Sequence, residues 1–282
     1  MSITYTKHLF AFMDILGYKE LVKSADSDTA YAITLITNLK DMINNCICEE
    51  FNRHPSILDS KVDYTLFSDS LCLSIPIEEL KDDEITLENM YSHPILVNNM
   101  MRLFLLCRLI SNIQLYSLEY GIIYRGAISV GNHYKDEHVM FSKALVDCYL
   151  AESTEAIYPR VILLFNDFLR YVPLCHQYYS LDVIEDEDFM VVDYLNRIIE
   201  FRGSEWMHTL MNTHKTFIEK NILKFKDNES LLKKYYWMMN YHHLKLGSTF
   251  DMDKFGIDNV YRDICREKFG LNTYDLFGSF EL

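Results

Sequence analysis

The sequence predicts an α/β fold, one sheet flanked by helices, followed by a mainly helical C-terminal extension. Three observations carry this expectation. Short apolar, strand-like runs alternate with longer stretches of helical spacing over the first 166 residues. Two of those runs, KVDYTLF and SLCLSIP, meet at a tight turn and read as a central hairpin. Beyond residue 167 helical stretches dominate, and no repeat, Pro- or Gly-rich linker or low-complexity tract sets the two parts off from each other. The chain therefore divides into residues 1–166, the sheet domain, and 167–282, an extension packed on it.

Taken in order, residues 8–14 read as a strand ending at Asp14, and Gly17 opens a short helix through Leu21 and Val22. A second helix runs from about Thr29 to Phe51, where Ile33, Ile36, Leu39 and Ile43 recur at helical spacing. The turn residues of NRHPS end it. In the hairpin Val62, Tyr64 and Leu66 alternate on the way in, and Leu71, Leu73 and Ile75 on the way out. EELKDDE reads as a solvated loop, and a long helix follows from about Pro94 to Tyr116. GIIYRGAISVG is a strand, HVMF a short edge segment, SKALVDCYLAES a helix and YPRVILLF a strand. In the extension DFMVVDYL is one more strand, and HKTFIEKNILKF and ESLLKKYYWMMNYHHLKL are helices.

Composition narrows the function classes. With 49% hydrophobic and 14% aromatic residues there is ample material for a core, which excludes a disordered chain. A net charge of −14 argues against general nucleic-acid binding, which needs a basic surface. The seven cysteines are scattered, and the CxC of Cys46 and Cys48 is not a zinc-ligand spacing. They read as reduced core thiols of a cytoplasmic protein. Lys7 and His8 precede too short an apolar run for a leader. Arg102, Arg108 and three asparagines in PILVNNMMRLFLLCRLISNIQLY argue against a membrane span. No GxxxxGK[ST], GxSxG, HExxH or Rossmann glycine pattern occurs.

The residues that point to chemistry are two aspartates. Asp14 interrupts the apolar run FAFMDILG, where a lone carboxylate is costly without a positive partner. Asp69 sits in FSDS at the hairpin turn, again at the end of an apolar strand. Taken singly, Asp14 reads as a helix cap and Asp69 as a turn residue. If the hairpin lies beside the first strand, both project from one sheet edge, and two close carboxylates call for a cation between them. Mg²⁺ suits such a pair, with the carbonyl of Ile15 a further ligand and Gly17 allowing close approach of a phosphate.

FMDILGY, FSDS, RGAISVG and SKALVDCYLAES, in this element order, resemble the class III nucleotidyl cyclases over roughly residues 8–166. FMDILGYKELV, FSDS, RGAISVG and YPR are similar more particularly to divergent bacterial members, among them the pyrimidine cyclases of Pycsar anti-phage defence. The resemblance implies a ferredoxin-like palm sheet and a head-to-tail homodimer. It also implies two Mg²⁺ or Mn²⁺ ions on Asp14, Asp69 and the Ile15 carbonyl. The reaction would convert a nucleoside triphosphate to a 3′,5′-cyclic nucleotide and pyrophosphate. Gly17, Tyr18, Thr65, Ser68 and Arg125 would contact the substrate. Two departures stand out. Val146 and Leu150 occupy the places of a family asparagine and arginine, and Thr65 stands about where a purine-selecting lysine is found. The second weakly favours a pyrimidine.

Arg125, in YRGAIS, is the candidate replacement for the missing catalytic arginine, since a planar guanidinium grips phosphate with two bonds. It reads equally well as the partner of a neighbouring acid. Lys143 and Arg160 read as surface charges, and EDED at 185–188 as a solvated loop before a strand. Adjacent His242 and His243 point about 100° apart on a helix and cannot share a face, while Tyr235, Tyr236, Trp237 and Tyr241 read as core. Two other functions fit the same residues: a catalytically silent relative that binds a nucleotide or a protein, and a signal-nucleotide polymerase using the same metal pair.

Overall fold

The computed structural model describes residues 4–53, 62–80, 92–164, 182–200, 204–246 and 252–269. The turn expected after Arg53 and most of the EELKDDE loop lie outside them. Strand β1 (Thr6–Ile15) leads into α1 (Tyr18–Asp26) and α2 (Thr29–Arg53). The hairpin β2 (Asp63–Phe67) and β3 (Ser70–Pro76) precedes α3 (Pro94–Ser117), and β4 (Tyr124–Lys135), β5 (Met140–Ser142), α4 (Lys143–Thr154) and β6 (Val161–Leu163) follow. A second hairpin, β7 (Val183–Asp186) and β8 (Phe189–Val192), opens the extension. Helices α5 (Asn196–Glu200), α6 (Glu205–Phe225), α7 (Glu229–Leu246), α8 (Met252–Phe255) and α9 (Asn259–Phe269) follow among the described residues.

The strands form one mixed eight-stranded sheet in the order β2-β3-β1-β4-β6-β8-β7, with β5 paired to β4. It continues past residue 166, because β8 pairs with β6. Strand β1 is central and alternates strictly. Leu9, Ala11, Met13 and Ile15 enter a core with α2 and α3, while Phe10 and Phe12 meet Ala144, Cys148 and Ala151 of α4 on the other face. Gly126 lets β4 lie close to β1, since a Cβ there would stand 2.2 Å from the Phe12 carbonyl oxygen. A third core joins α6, α7 and α9 to the end of α3 through Leu115, Leu118, Met211, Trp237 and Tyr241.

Helix α3 with its following turn is long and apolar enough to cross a membrane, and over half of its most apolar stretch is buried in the fold. Its polar residues explain how it can lie there. Arg108 pairs with Glu50 of α2 at 3.4 Å, Asn112 donates to the same carboxylate at 2.8 Å, and Arg197 of α5 reaches Glu50 at 3.3 Å and Asn112 at 3.1 Å. This buried network ties the extension to the sheet domain.

Three expectations need correction. On α2 the buried row is Leu35, Leu39, Met42, Ile43 and Cys46, while Ile33 and Ile36 are 61% and 63% exposed. Both rows have helical spacing and share Leu39 and Ile43, so period alone could not choose between them. Arg160 is not a surface charge but 2% exposed, paired with Asp186 and with Glu187 at 3.0 Å. Its guanidinium also lies over the Tyr158 and Phe189 rings. Only half of the EDED run is the expected loop: Glu187 and Asp188 form an exposed turn before β8, but Glu185 and Asp186 belong to β7, and Asp186 is buried and accepts from Trp237 Nε1 at 3.0 Å.

Candidate functional site

Asp14 lies next to last on β1, paired across the sheet with Ser70 of β3 on one side and Arg125 of β4 on the other. The hairpin turn brings Asp69 to the same edge, where its carbonyl accepts from Ile15 N–H at 2.8 Å. Ser68, in the same two-residue turn, holds a left-handed conformation with φ 52°, a strained state for a residue with a Cβ. Gly17, at φ 80°, is the left-handed residue that starts α1, as only glycine does without strain.

The cross-strand pairing of Asp14 and Arg125 puts both side chains on the α4 face of the sheet. Arg125 Nε lies 3.6 Å from Asp14 Oδ2 and 2.5 Å from Glu152 Oε1. Glu152 is buried near the end of α4, on the face that carries Ala144, Cys148 and Ala151. It contributes to this cluster although nothing local in LAES marks it out from a surface acid. Lys234 of α7 is the second residue missed in the sequence: it lies within electrostatic reach of Asp14, Glu152 and Arg125. Burial and the Arg125 charge lower its pKa, against the pull of the two acids.

Negative charge is in excess here. Burial, then Glu152 and Asp69, push the Asp14 carboxyl up to about 6, with Arg125 pulling the other way. A divalent ion relieves such an excess, and Mg²⁺ needs only one or two carboxylates when phosphates supply the rest. Asp14 and Asp69 are the carboxylates at this edge that could hold such an ion. No trio of His, Cys, Asp or Glu side chains is placed to hold an ion among the described residues.

The remaining expected site residues are spread along this edge. Tyr18 and Ser68 line a mainly apolar groove of about 440 Å³ between α1, α2 and the hairpin. Gly17 lines a separate cavity on the extension's side. Thr65, midway along β2, pairs with Cys72 and sits with His133 and Lys135 farther up the sheet. Val146 and Leu150 are 54% and 55% exposed and, with Tyr149, form an apolar row on α4. Lys143 is on the surface, paired with Asp147 at 2.6 Å. No protein-family model matches the chain, and no curated protein is detectably similar to it.

Proposed function

We propose that this protein is a nucleotidyl cyclase, converting a nucleoside triphosphate, with a pyrimidine favoured, to a 3′,5′-cyclic nucleotide and pyrophosphate. The observation that carries the reading is the meeting of Asp14 and Asp69 at one sheet edge, where burial and then the neighbouring acids Glu152 and Asp69 raise the Asp14 carboxyl. The strand order β2-β3-β1-β4, all antiparallel, with helices joining β1 to β2 and β3 to β4, supports a ferredoxin-like palm. Asp14 and Asp69 would hold Mg²⁺ or Mn²⁺, with the Ile15 carbonyl as a further ligand. The ions would activate the ribose 3′-hydroxyl and neutralise the triphosphate. Arg125, released from Asp14, would balance charge on the α-phosphate while Glu152 keeps it aimed. A cyclic nucleotide made this way suits a cytoplasmic alarm signal in anti-phage defence.

The apolar row Val146, Tyr149 and Leu150 on α4 supports a homodimer in which a second copy covers it. One observation favours the silent reading instead: Arg125 is already engaged by two acids, as a structural ion pair would be. Incubation of the purified protein with ATP, GTP, CTP or UTP and Mn²⁺, followed by mass spectrometry, separates the two. A cyclic monophosphate from one substrate, lost in Asp69→Asn, establishes the enzyme. Nucleotide binding without product from any of the four leaves the silent binder, and linear or bridged products point to a polymerase.

A further inference from the structure

Beside the carboxylate edge lies a cavity of about 930 Å³, walled by the start of α1, by the segment leading into β4 and by the turn between α6 and α7. Its floor is apolar, formed by residues such as Ile15, Ile122 and Tyr235. Its polar lining is of one sign. Lys19, Lys224 and Lys234 converge on it with Asn221, Asn228 and Ser230, and no carboxylate is found among the described residues that line it. This is notable in a chain with 41 acidic and 27 basic residues. Some lysines elsewhere pair with acids, as Lys135 does with Asp63, Lys143 with Asp147 and Lys245 with Asp193. None of the cavity's three lysines makes such a pair among the described residues, and Lys224 instead lies over the Phe225 ring.

Three like charges around one cavity repel unless an anion lies between them. The volume suits a ligand of nucleotide size, and the asparagines and serine add neutral hydrogen-bonding groups. We propose that this cavity binds a linear polyphosphate, gripped by Lys19 from the sheet domain and by Lys224 and Lys234 from the helical extension. Naming a nucleoside triphosphate as the carrier rests on the cyclase reading; the polyphosphate site does not. Lys234 links the two places, since it lines the cavity and lies within electrostatic reach of Asp14 and Glu152. The helical extension thereby supplies two of the three cations that hold the phosphate chain beside the carboxylate edge.

Calorimetric titration of the full chain with inorganic tripolyphosphate, without divalent metal and at low and high salt, tests the site. Binding is expected to weaken with salt. It should fall by about tenfold or more in a Lys224→Gln/Lys234→Gln variant, recover in the corresponding Lys→Arg pair, and stay unchanged in Lys143→Gln. Circular dichroism confirms that each variant is folded. A nucleoside triphosphate that displaces tripolyphosphate, with KM raised in the Lys→Gln pair, supports both the site and the nucleotide as its carrier. Lysine-dependent binding that no nucleotide displaces keeps the polyphosphate site and counts against the cyclase reading. Absence of tripolyphosphate binding, or binding equal in the Lys→Gln pair, overturns the inference, even if a cyclic nucleotide is produced.

Discussion

Two polar clusters in this fold, one fully buried and one half-buried at the sheet edge, obey opposite rules. In the extension, Tyr194, His214 and His242 form a chain in which every proton has one place to go. The Phe255 carbonyl can only accept, so His242 donates to it from Nε2 at 2.9 Å. Its Nδ1 must then accept from His214 Nδ1–H at 2.8 Å, and His214 Nε2 accepts from the Tyr194 hydroxyl at 2.9 Å. Both rings are neutral, and burial depresses both pKa values, that of His242 to about 4. The Asp14 edge is unfinished by comparison. Asp14, Asp69 and Glu152 face Arg125 and the more distant Lys234, and burial makes the surplus charge expensive. A closed network of neutral partners stabilises the protein as it stands. One left short of cations carries a surplus charge that, at the proposed site, a bound cation would relieve.

The sharpest break of this comparison is Asp14→Asn. At the proposed site the substitution removes an ion ligand, so cyclic-nucleotide formation should fall by at least about a hundredfold. It also removes one of three crowded charges and leaves Arg125 its Glu152 partner. In metal-free buffer the variant should therefore be more stable, by about 1 kcal/mol after allowing for partial exposure. Thermal melts and product assays on the same preparation check the two halves together. A lower melting temperature would make Asp14 an ordinary structural partner of Arg125.

The histidine chain should respond the other way. His242→Leu leaves the Phe255 carbonyl and the His214 N–H without partners, at a cost of about 3 kcal/mol. The pH dependence follows from the same depressed pKa values. Above about pH 6.5 the histidines are neutral in folded and unfolded chains alike, so they add no slope. Below it the unfolded chain takes up protons that the folded His242 refuses until about pH 4, so stability falls across that window. Each such histidine contributes at most ~1.4 kcal/mol per pH unit. Denaturant melts from pH 7 to pH 4.5 should show a shallower loss in the variant than in the parent. Equal slopes would mean that His242 is charged in the folded state.

The contrast also explains what the sequence made legible. An aspartate that interrupts an apolar run is visible because a strand's alternation sets a pattern for it to break, and Asp14 and Asp69 both stand at such points. Arg125 could be found from the next strand, and the structure sets it against Asp14. Glu152 and Lys234 carried no such signal. Each lies on a helix where a charged residue fits any exposed position, and only the packing of α4 and α7 against the sheet edge brings them in. Arg160 and Asp186 went unread for the same reason, since a charge is buried by its partner and the partner is remote in sequence. On α2 the helix itself was plain and its rotational phase was not, because Ile33 and Ile36 are as apolar as Leu35 and Met42.

The smallest expected effect, at Ser68, sharpens the comparison most finely. A left-handed serine costs about 1 kcal/mol relative to an ordinary conformation, and glycine in its place removes that strain. Glycine also raises the entropy of the unfolded chain, which offsets roughly 0.5–1 kcal/mol of the gain. Ser68→Gly should therefore leave the melting temperature nearly unchanged and keep the turn that presents Asp69. What the substitution does remove is one hydroxyl beside the carboxylate edge. If that hydroxyl touches the substrate, KM should rise by about three- to tenfold, the worth of a single hydrogen bond, with kcat little altered. An unchanged KM would confine Ser68 to shaping the turn, and substrate contact on this side would then fall to Tyr18, across the groove the two residues share.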